Sequence, residues 1–525
     1  MDFQIVEIFN RSVTVELDTE AIYRQGESFE ILLDQKSIRR EDRNVFSLDH
    51  LQPEKEYCLG VRTADGTVTE HTFTTGKESI LLNVRSFGAA GDGVTDDTSA
   101  LQACILSCPK EGTVYVPQGT YLTRPLFLKS NISLWIDEGA SLLGDPDRSH
   151  YGILPGMTRC TDEQEEFNLG TWEGNPLDCF ASLITGIDAE NVDIYGQGAL
   201  DGNAQNGDWW ENCKVRRVAW RPYTVYLCRC KNIRMQGITI KNSPSWTLHP
   251  YYSDHLRFLN LTIQNPDNSP NTDGLDPQSC EDVQILGCVI SVGDDCIAIK
   301  SGKYYMALNH HKKTKHVVVR NCRLERGHGS VTVGSEVAGG VKDVRISKCL
   351  FHETDRGLRI KTRRGRGKMS VLEDICFENI SMMGVPMPFT VNMFYYCDPD
   401  GHSEAVQDQN PRPVDELTPC IRSIRAKNIT CDGVNACVIC AYGLPEMPIG
   451  ELEFTDIRAS FLPEHEQTEM LPVMMDNFPM MKGRGIYARN VEHLVLKNVE
   501  IKGSRDTAPE LMGVKAQDLE NVRFE

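Results

Sequence analysis

Three carboxylates, an imidazole and two cations fall in four short segments: Asn271-Thr272-Asp273-Gly274, Gly293-Asp294-Asp295, Gly327-His328-Gly329 and Arg359-Ile360-Lys361. Acid–base cleavage of a glycosidic bond needs one carboxyl protonated for the leaving oxygen and one ionised to activate water. Crowding Asp273, Asp294 and Asp295 into one cleft would create that difference, because close like charges drive one carboxyl upward in pKa. Arg359 and Lys361 flank Ile360, so on a strand both cations share a face while Ile360 enters the core. An Arg holds a carboxylate through two hydrogen bonds and a Lys adds a point charge. The inventory is that of a glycosidase acting on an acidic sugar.

The spacing of the segments says what must position them. Asp273 and Asp294 are 21 residues apart, about one circuit of a parallel β-helix, whose successive turns lie about 4.8 Å apart like other paired strands. His328 follows Asp295 by 33 residues, with Lys303 to Lys315 reading as an insertion. Arg359 follows His328 by 31, with Glu336 to Val341 as a smaller loop. The four segments are therefore expected on four successive rungs. Neighbours on a strand face opposite ways, so Asp294 and Asp295 both reach the cleft only if the backbone bends, which Gly293 permits.

A short phrase recurs along the chain: a polar residue, a β-rich run, then Gly or Asn. Asn191-Val192-Asp193-Ile194-Tyr195-Gly196, Asn232-Ile233-Arg234-Met235-Gln236-Gly237 and His316-Val317-Val318-Val319-Arg320-Asn321 are examples. Its period is too short for propeller blades of about 40–50 residues, and a parallel β-helix fits better. Residues 1–76 read as a separate small β-sandwich. Val13, Val15 and Leu17 alternate with polar residues, Asp65-Gly66 makes a hairpin, and Leu51, Pro53 and Tyr57 resemble the tyrosine corner of a fibronectin type III domain. This domain is expected to be a spacer or a wall beside the cleft. Residues 77–525 form the catalytic unit. A helix there, capped by Thr95 or Asp96, covers the open end of the core with Leu101, Cys104 and Ile105. Stretches near 150–178, 203–220 and 398–417 break the rhythm and read as loops on the binding face.

The 525 residues carry a net charge of −19, which argues against nucleic acid as a partner. A polyanionic substrate would need a local basic patch. Arg356, Arg359, Lys361, Arg363, Arg364, Arg366 and Lys368 are expected to supply it. No run approaches 18 apolar residues, so no membrane span is expected. The start of the chain lacks an export signal, which predicts a cytoplasmic protein. The 19 cysteines are scattered, without repeated CxxC pairs, and read as small buried hydrophobes in a reducing compartment.

In this order the four segments resemble those of family 28 glycoside hydrolases, the polygalacturonases. Asn242-Ser243-Pro244-Ser245-Trp246 with His249-Pro250 is similar too, and the likeness covers about residues 80 to 525. The resemblance implies an all-β, right-handed parallel β-helix of the pectin-lyase type, and inverting hydrolysis of galacturonan without metal or cofactor. By it Asp294 is the general acid, Asp273 and Asp295 activate water, and His328 tunes the acid. Arg359, Lys361, Asn271 and Lys300 bind substrate. Acid and base carboxyls are then expected roughly 6.5–9.5 Å apart. The extra domain and long loops favour exo attack on oligogalacturonides by a monomer. The competing expectations are a rhamnogalacturonan or xylogalacturonan hydrolase, a calcium-dependent pectate lyase and a non-catalytic glycan-binding β-helix.

Overall fold

The computed structural model describes residues 1–159 and 166–525. The N-terminal part is a sandwich of two antiparallel sheets. Phe3–Ile8, Val13–Leu17 and Val45–Leu48 form one, and Lys36–Arg43, Arg24–Leu33, Glu56–Arg62 and Val68–Thr74 the other. Phe3, Val15, Phe29, Ile31, Phe46, Leu59 and Val61 fill the space between them. The Tyr57 hydroxyl accepts the Gln52 N–H at 2.8 Å, the corner contact that the sequence pattern predicted.

Val13–Leu17 departs from its half-buried expectation, since all five residues are buried. Its polar face lies against the larger domain. Glu16 takes two 2.6 Å hydrogen bonds from the Arg320 guanidinium, and Thr14 pairs with Ser47. An alternating strand predicts one dry face, but nothing local reveals that its polar face will be covered with its charge matched.

The remainder is a right-handed parallel β-helix. One long ladder pairs Gly112–Val116, Ile132–Ile136, Glu190–Gly196, Lys231–Gln236, Asp254–Leu259, Glu281–Leu286, Thr314–Arg320 and Val341–Ser347, all in parallel. A second face stacks Val225–Cys228, Leu248–Tyr251, Ile297–Ile299, Val331–Val333, Arg356–Lys361 and Met387–Asn392, with Leu275 bridging between Leu248 and Ile297. Inward-facing Val, Ile, Leu and Phe make one continuous core.

The recurring phrase now has a backbone cause. Its first residue, as at Asn191, Asn232, His255, Asp282, His316, Asp343 and Asp374, sits in the left-handed region at φ 55–61°. Its last residue also has a positive φ, from 51° to 122°, as at Gly196, Gly237, Asn260, Gly287, Asn321 and Asn379. Gly, and more than most other residues Asn, Asp and His, tolerate that conformation. Each rung must turn a corner at both ends of the strand.

The helix Thr98–Ser107 buries Leu101, Cys104 and Ile105 at the N-terminal end of the core, as expected. Its N-cap is Asp97, one residue beyond the expected Thr95 or Asp96. The Asp97 carboxylate instead accepts the N–H groups of Ala90 and Gly91. The 18 described cysteines are free and mostly buried. Among the described residues no helix is long and apolar enough to cross a membrane.

The sandwich docks on the long ladder through Phe9, which packs with Trp135, Tyr195, Leu259 and Leu286. Ser12 to Gln236 and Asn10 to Thr113 add buried hydrogen bonds. That is not the face carrying the carboxylates. No residue of 1–76 lines the cleft described below, so the expectation of a wall beside it is corrected.

Candidate active site

The four segments do meet. Leu275 bridges Ile297, and Ile297 pairs with Val331, so Asp273, Asp295 and Gly329 stand at equivalent places on successive rungs. Backbone bonds lock the stack: Gly274 N–H to the Asp295 carbonyl at 3.0 Å and Cys296 N–H to the Gly329 carbonyl at 2.8 Å. His328 donates its N–H to the Asp294 carbonyl at 2.9 Å, which puts imidazole over carboxylate. The glycines flanking His328 are required by this closeness. A Cβ on Gly329 would lie 2.8 Å from Asp295 Oδ1, and one on Gly327 would lie 2.5 Å from the Asp294 carbonyl.

An oxygen from each of Asp273, Asp294 and Asp295 lies within 4.8 Å of the others. This is tighter than the expected roughly 6.5–9.5 Å. Chain adjacency and the rung spacing together set it, since Asp294 and Asp295 are consecutive and Asp273 is one strand away.

Each carboxyl is in a different electrostatic state. Asp295 is enclosed, with Arg359 Nη1 at 2.9 Å from one oxygen and Lys361 Nζ at 2.8 Å from the other. Burial raises its pKa, but Lys361 and Arg359 outweigh burial and hold it far below the carboxylate range. Asp294 faces His328 Nδ1 at 3.2 Å. Burial raises the Asp294 carboxyl, and the His328 hydrogen bond together with the charges of His328 and Lys361 holds it low. The same bond raises the imidazole above its ordinary value. Asp273 has the Lys300 Nζ at 3.7 Å, too far for a hydrogen bond. Burial, then Asp294, push Asp273 up to about 8. Side-chain exposures are 5% for Asp273, 23% for Asp294 and 1% for Asp295, so Asp294 is the one that reaches the cleft surface.

Three aspartates this close are also a possible cation cage. The chemistry of the donor set opposes it. Both Asp295 oxygens are engaged by cations, and Lys300 stands beside Asp273. A divalent ion would meet three positive side chains at short range.

Residues 155–433 match Glycosyl hydrolases family 28, and residues 81–154 match Rhamnogalacturonase A/epimerase, pectate lyase-like. The chain is 31% identical over 357 residues to a probable polygalacturonase of Vitis vinifera, covering 66% of this chain and 68% of that one. This chain belongs to glycosyl hydrolase family 28. An exopolygalacturonase of Thermotoga maritima superposes with a TM-score of 0.61 at 27% identity, over 77% of this chain and 94% of that chain. A family 28 exopolygalacturonase of Yersinia enterocolitica shares the fold over 99% of this chain and 98% of that chain, with a TM-score of 0.66 at 19% identity.

In this glycoside hydrolase the cluster opens into a pocket of about 470 Å³. Asn271 lines it, with its side-chain oxygen held by Arg221 Nη2 at 2.6 Å. Lys300 lines it too, 3.1 Å from Glu336 Oε2 and 3.6 Å from Asp276 Oδ1, with its ammonium 4.2 Å from the Trp246 ring centroid. All three loops read from the sequence contribute: Glu173 from the first, Cys213 and Lys214 from the second, Asp398 from the third. The first of these loops includes residues 160–165, which lie outside the described residues. A fourth loop, which supplies Met474, was not legible as one.

The basic run is not an open cationic patch. Arg359 and Lys361 face the pocket, while Arg364 is held by Glu446 at 2.6 Å and Arg363 by Asp398 at 2.9 Å. Arg366 bonds the Ser335 carbonyl, Arg356 bonds those of Leu471 and Pro472, and Lys368 pairs with Glu416. These cations tie down the loops around the pocket. Composition shows their density but not their partners.

Sequence reasoning missed Glu336, Asp276 and Arg221. Glu336 sat in a segment read only as a small loop. Asp276 was in view two residues beyond Gly274, and its side chain is fully buried with the Lys300 ammonium 3.6 Å from Oδ1. Arg221 carried no motif.

Proposed function

We propose that this enzyme hydrolyses α-1,4-galacturonosidic bonds, removing sugars from the ends of short galacturonan chains. The carrying observation is that Arg359 and Lys361, the carboxylate-binding pair, close on Asp295 in the same pocket as Asp294 and His328. An incoming uronate carboxylate competes for these cations, which loosens Asp295 and restores its basicity. The proton that crowding leaves on the Asp273–Asp294 pair is shared across it. Asp294 delivers it to the leaving oxygen because it is the most exposed of the three. Asp273, having lost the proton, and Asp295 then receive the proton of the attacking water.

Close carboxyls alone would suit a retaining pair. Burial supports inversion instead. The Asp295 and Asp273 side chains are only 1% and 5% exposed, against 23% for Asp294, which favours a water between them and the sugar as the attacking group. Support for galacturonan comes from relatives such as the Vitis vinifera protein and an endo-polygalacturonase of Pectobacterium parmentieri, 28% identical over 57% of this chain and 72% of that one. Support for exo attack comes from the loop residues Glu173, Cys213 and Lys214 at the pocket wall and from the 27% identical Thermotoga maritima exopolygalacturonase.

The test is a time course on galacturonic acid trimer with chelator present. Saturated monomer and dimer from the start are expected. An unsaturated product would instead establish a lyase, and loss of activity with chelator would establish a metal-dependent enzyme. No reaction would move the substrate to another uronate glycan.

A further inference from the structure

One wall of the pocket is chemically unlike the rest. Glu336 lines it, and Gly174 of the first loop packs against it so closely that a Cβ there would lie 3.0 Å from Glu336 Cβ. The Glu336 side chain is fixed from several sides. Oε2 accepts from Lys300 Nζ at 3.1 Å and Oε1 from the Ser335 hydroxyl at 3.1 Å. Its carbonyl accepts the Ser301 N–H at 2.6 Å. Gly334, at φ 119°, carries this turn across the Lys361 carbonyl, where a side chain would collide. Burial raises the Glu336 carboxyl, but Lys300, Lys303 and Arg366 outweigh it and keep it ionised.

The cations at this wall are all engaged. Lys214 pairs with Glu173, Lys303 with Asp398, and Lys300 with Glu336, Asp273 and Asp276. Glu336 thus meets the pocket as an ionised carboxylate, a strong acceptor for sugar hydroxyls. In a 1,4-linked chain every internal O4 is glycosylated, so a free 4-hydroxyl marks the non-reducing end.

Resting on the galacturonide reading above, we propose that Glu336 is the specificity-determining residue for the chain end. Its carboxylate, oriented by Lys300 and Ser335, accepts the free 4-hydroxyl of the terminal non-reducing sugar. The wall that Glu336 makes with Gly174 of the first loop then stops the chain beyond O4.

The experiment compares two trimers, saturated galacturonic acid trimer and the β-elimination trimer whose 4,5-unsaturated non-reducing sugar lacks that hydroxyl. Initial rates are measured with the parent enzyme, Glu336→Gln and Glu336→Asp, each checked for thermal unfolding. A site built to bond a hydroxyl rejects the analogue lacking it. The parent is expected to prefer the saturated trimer by at least about tenfold in kcat/KM. Glu336→Gln should lose about tenfold to a hundredfold on the saturated trimer alone, so that the preference collapses toward one. Glu336→Asp, charged but shorter, should retain part of it. Equal parent rates on both trimers, or a preference unchanged in folded Glu336→Gln, would overturn the assignment. A parent that cleaves neither trimer overturns the galacturonide reading, and this assignment with it.

Discussion

Lys361 Nζ lies 2.8 Å from Asp295 Oδ2, and neither side chain is more than 9% exposed. This pair is both a brace of the fold and a latch on the base. Removing one partner of a buried pair leaves an uncompensated charge, which typically costs about 3–5 kcal/mol. Arg359 remains on the other oxygen, so Lys361→Met is expected at the lower end, about 3 kcal/mol by chemical denaturation. Activity on the trimer should fall more than a hundredfold. A Lys361→Met chain as stable and active as the parent would sink the proposed role.

Asp294→Asn is expected to abolish turnover while substrate still binds. Loss of a general acid removes about 10²–10⁴ in rate. Calorimetric titration with the trimer should give an affinity within a few-fold of the parent, because Arg359 and Lys361 are intact. Retained turnover would move the acid role to Asp273, the carboxyl raised to about 8.

Asp273 makes a pH-dependent contribution of definite sign. Its folded pKa of about 8 lies above the ordinary value of 3.8, so between those limits the folded state binds more protons than the unfolded state. Stability from this group is then present below pH 4 and declines as pH rises toward 8. Asp273→Asn, neutral throughout, should be inactive yet more stable than the parent near pH 8. The gain should be about 1–2 kcal/mol, reduced from a lone carboxyl's shift because the cluster titrates together. Thermal unfolding at pH 4 and pH 8 checks it. A stability difference that shrinks with rising pH would contradict the assignment.

Arg364 and Glu446 form a bidentate pair with side-chain exposures of 9% and 4%. Arg364 Nη1 also bonds the Asp408 carbonyl at 2.7 Å, so it ties the third loop to the stack. Arg364→Met should destabilise by about 3 kcal/mol. KM should rise with little change in kcat, since no reacting group is touched. A kcat loss larger than the KM change would place Arg364 in the chemistry.

Much of the fold was legible because a β-helix writes its period into the chain. The polar starts and the Gly or Asn ends of the repeated phrase are corner residues, and only a few side chains tolerate positive φ there. The 21-residue step from Asp273 to Asp294 pointed to a stack of carboxylates, although the register sets Asp273 beside Asp295, 22 residues on. Hydrogen-bonded strands allow one separation between rungs, and that separation does not depend on the side chains. Residue types then told the chemistry, since Asp, His, Arg and Lys on adjacent rungs have few other uses in common.

What the tertiary structure decided was who partners whom. Arg359 and Lys361 rest on Asp295, and the rest of the basic run clamps loops instead of facing substrate. Glu336 gained its meaning only when Lys300 from the preceding rung and Gly174 from a distant loop closed on it. The sandwich lies away from the cleft because Phe9 and Glu16 find partners on another face. Rung spacing is a local property of backbone hydrogen bonding, so sequence carries it. Charge pairing depends on segments that return from far along the chain, 35 residues for Arg363–Asp398, 82 for Arg364–Glu446 and 304 for Arg320–Glu16, and on how far burial strengthens each attraction. Those distances exist only in the folded chain.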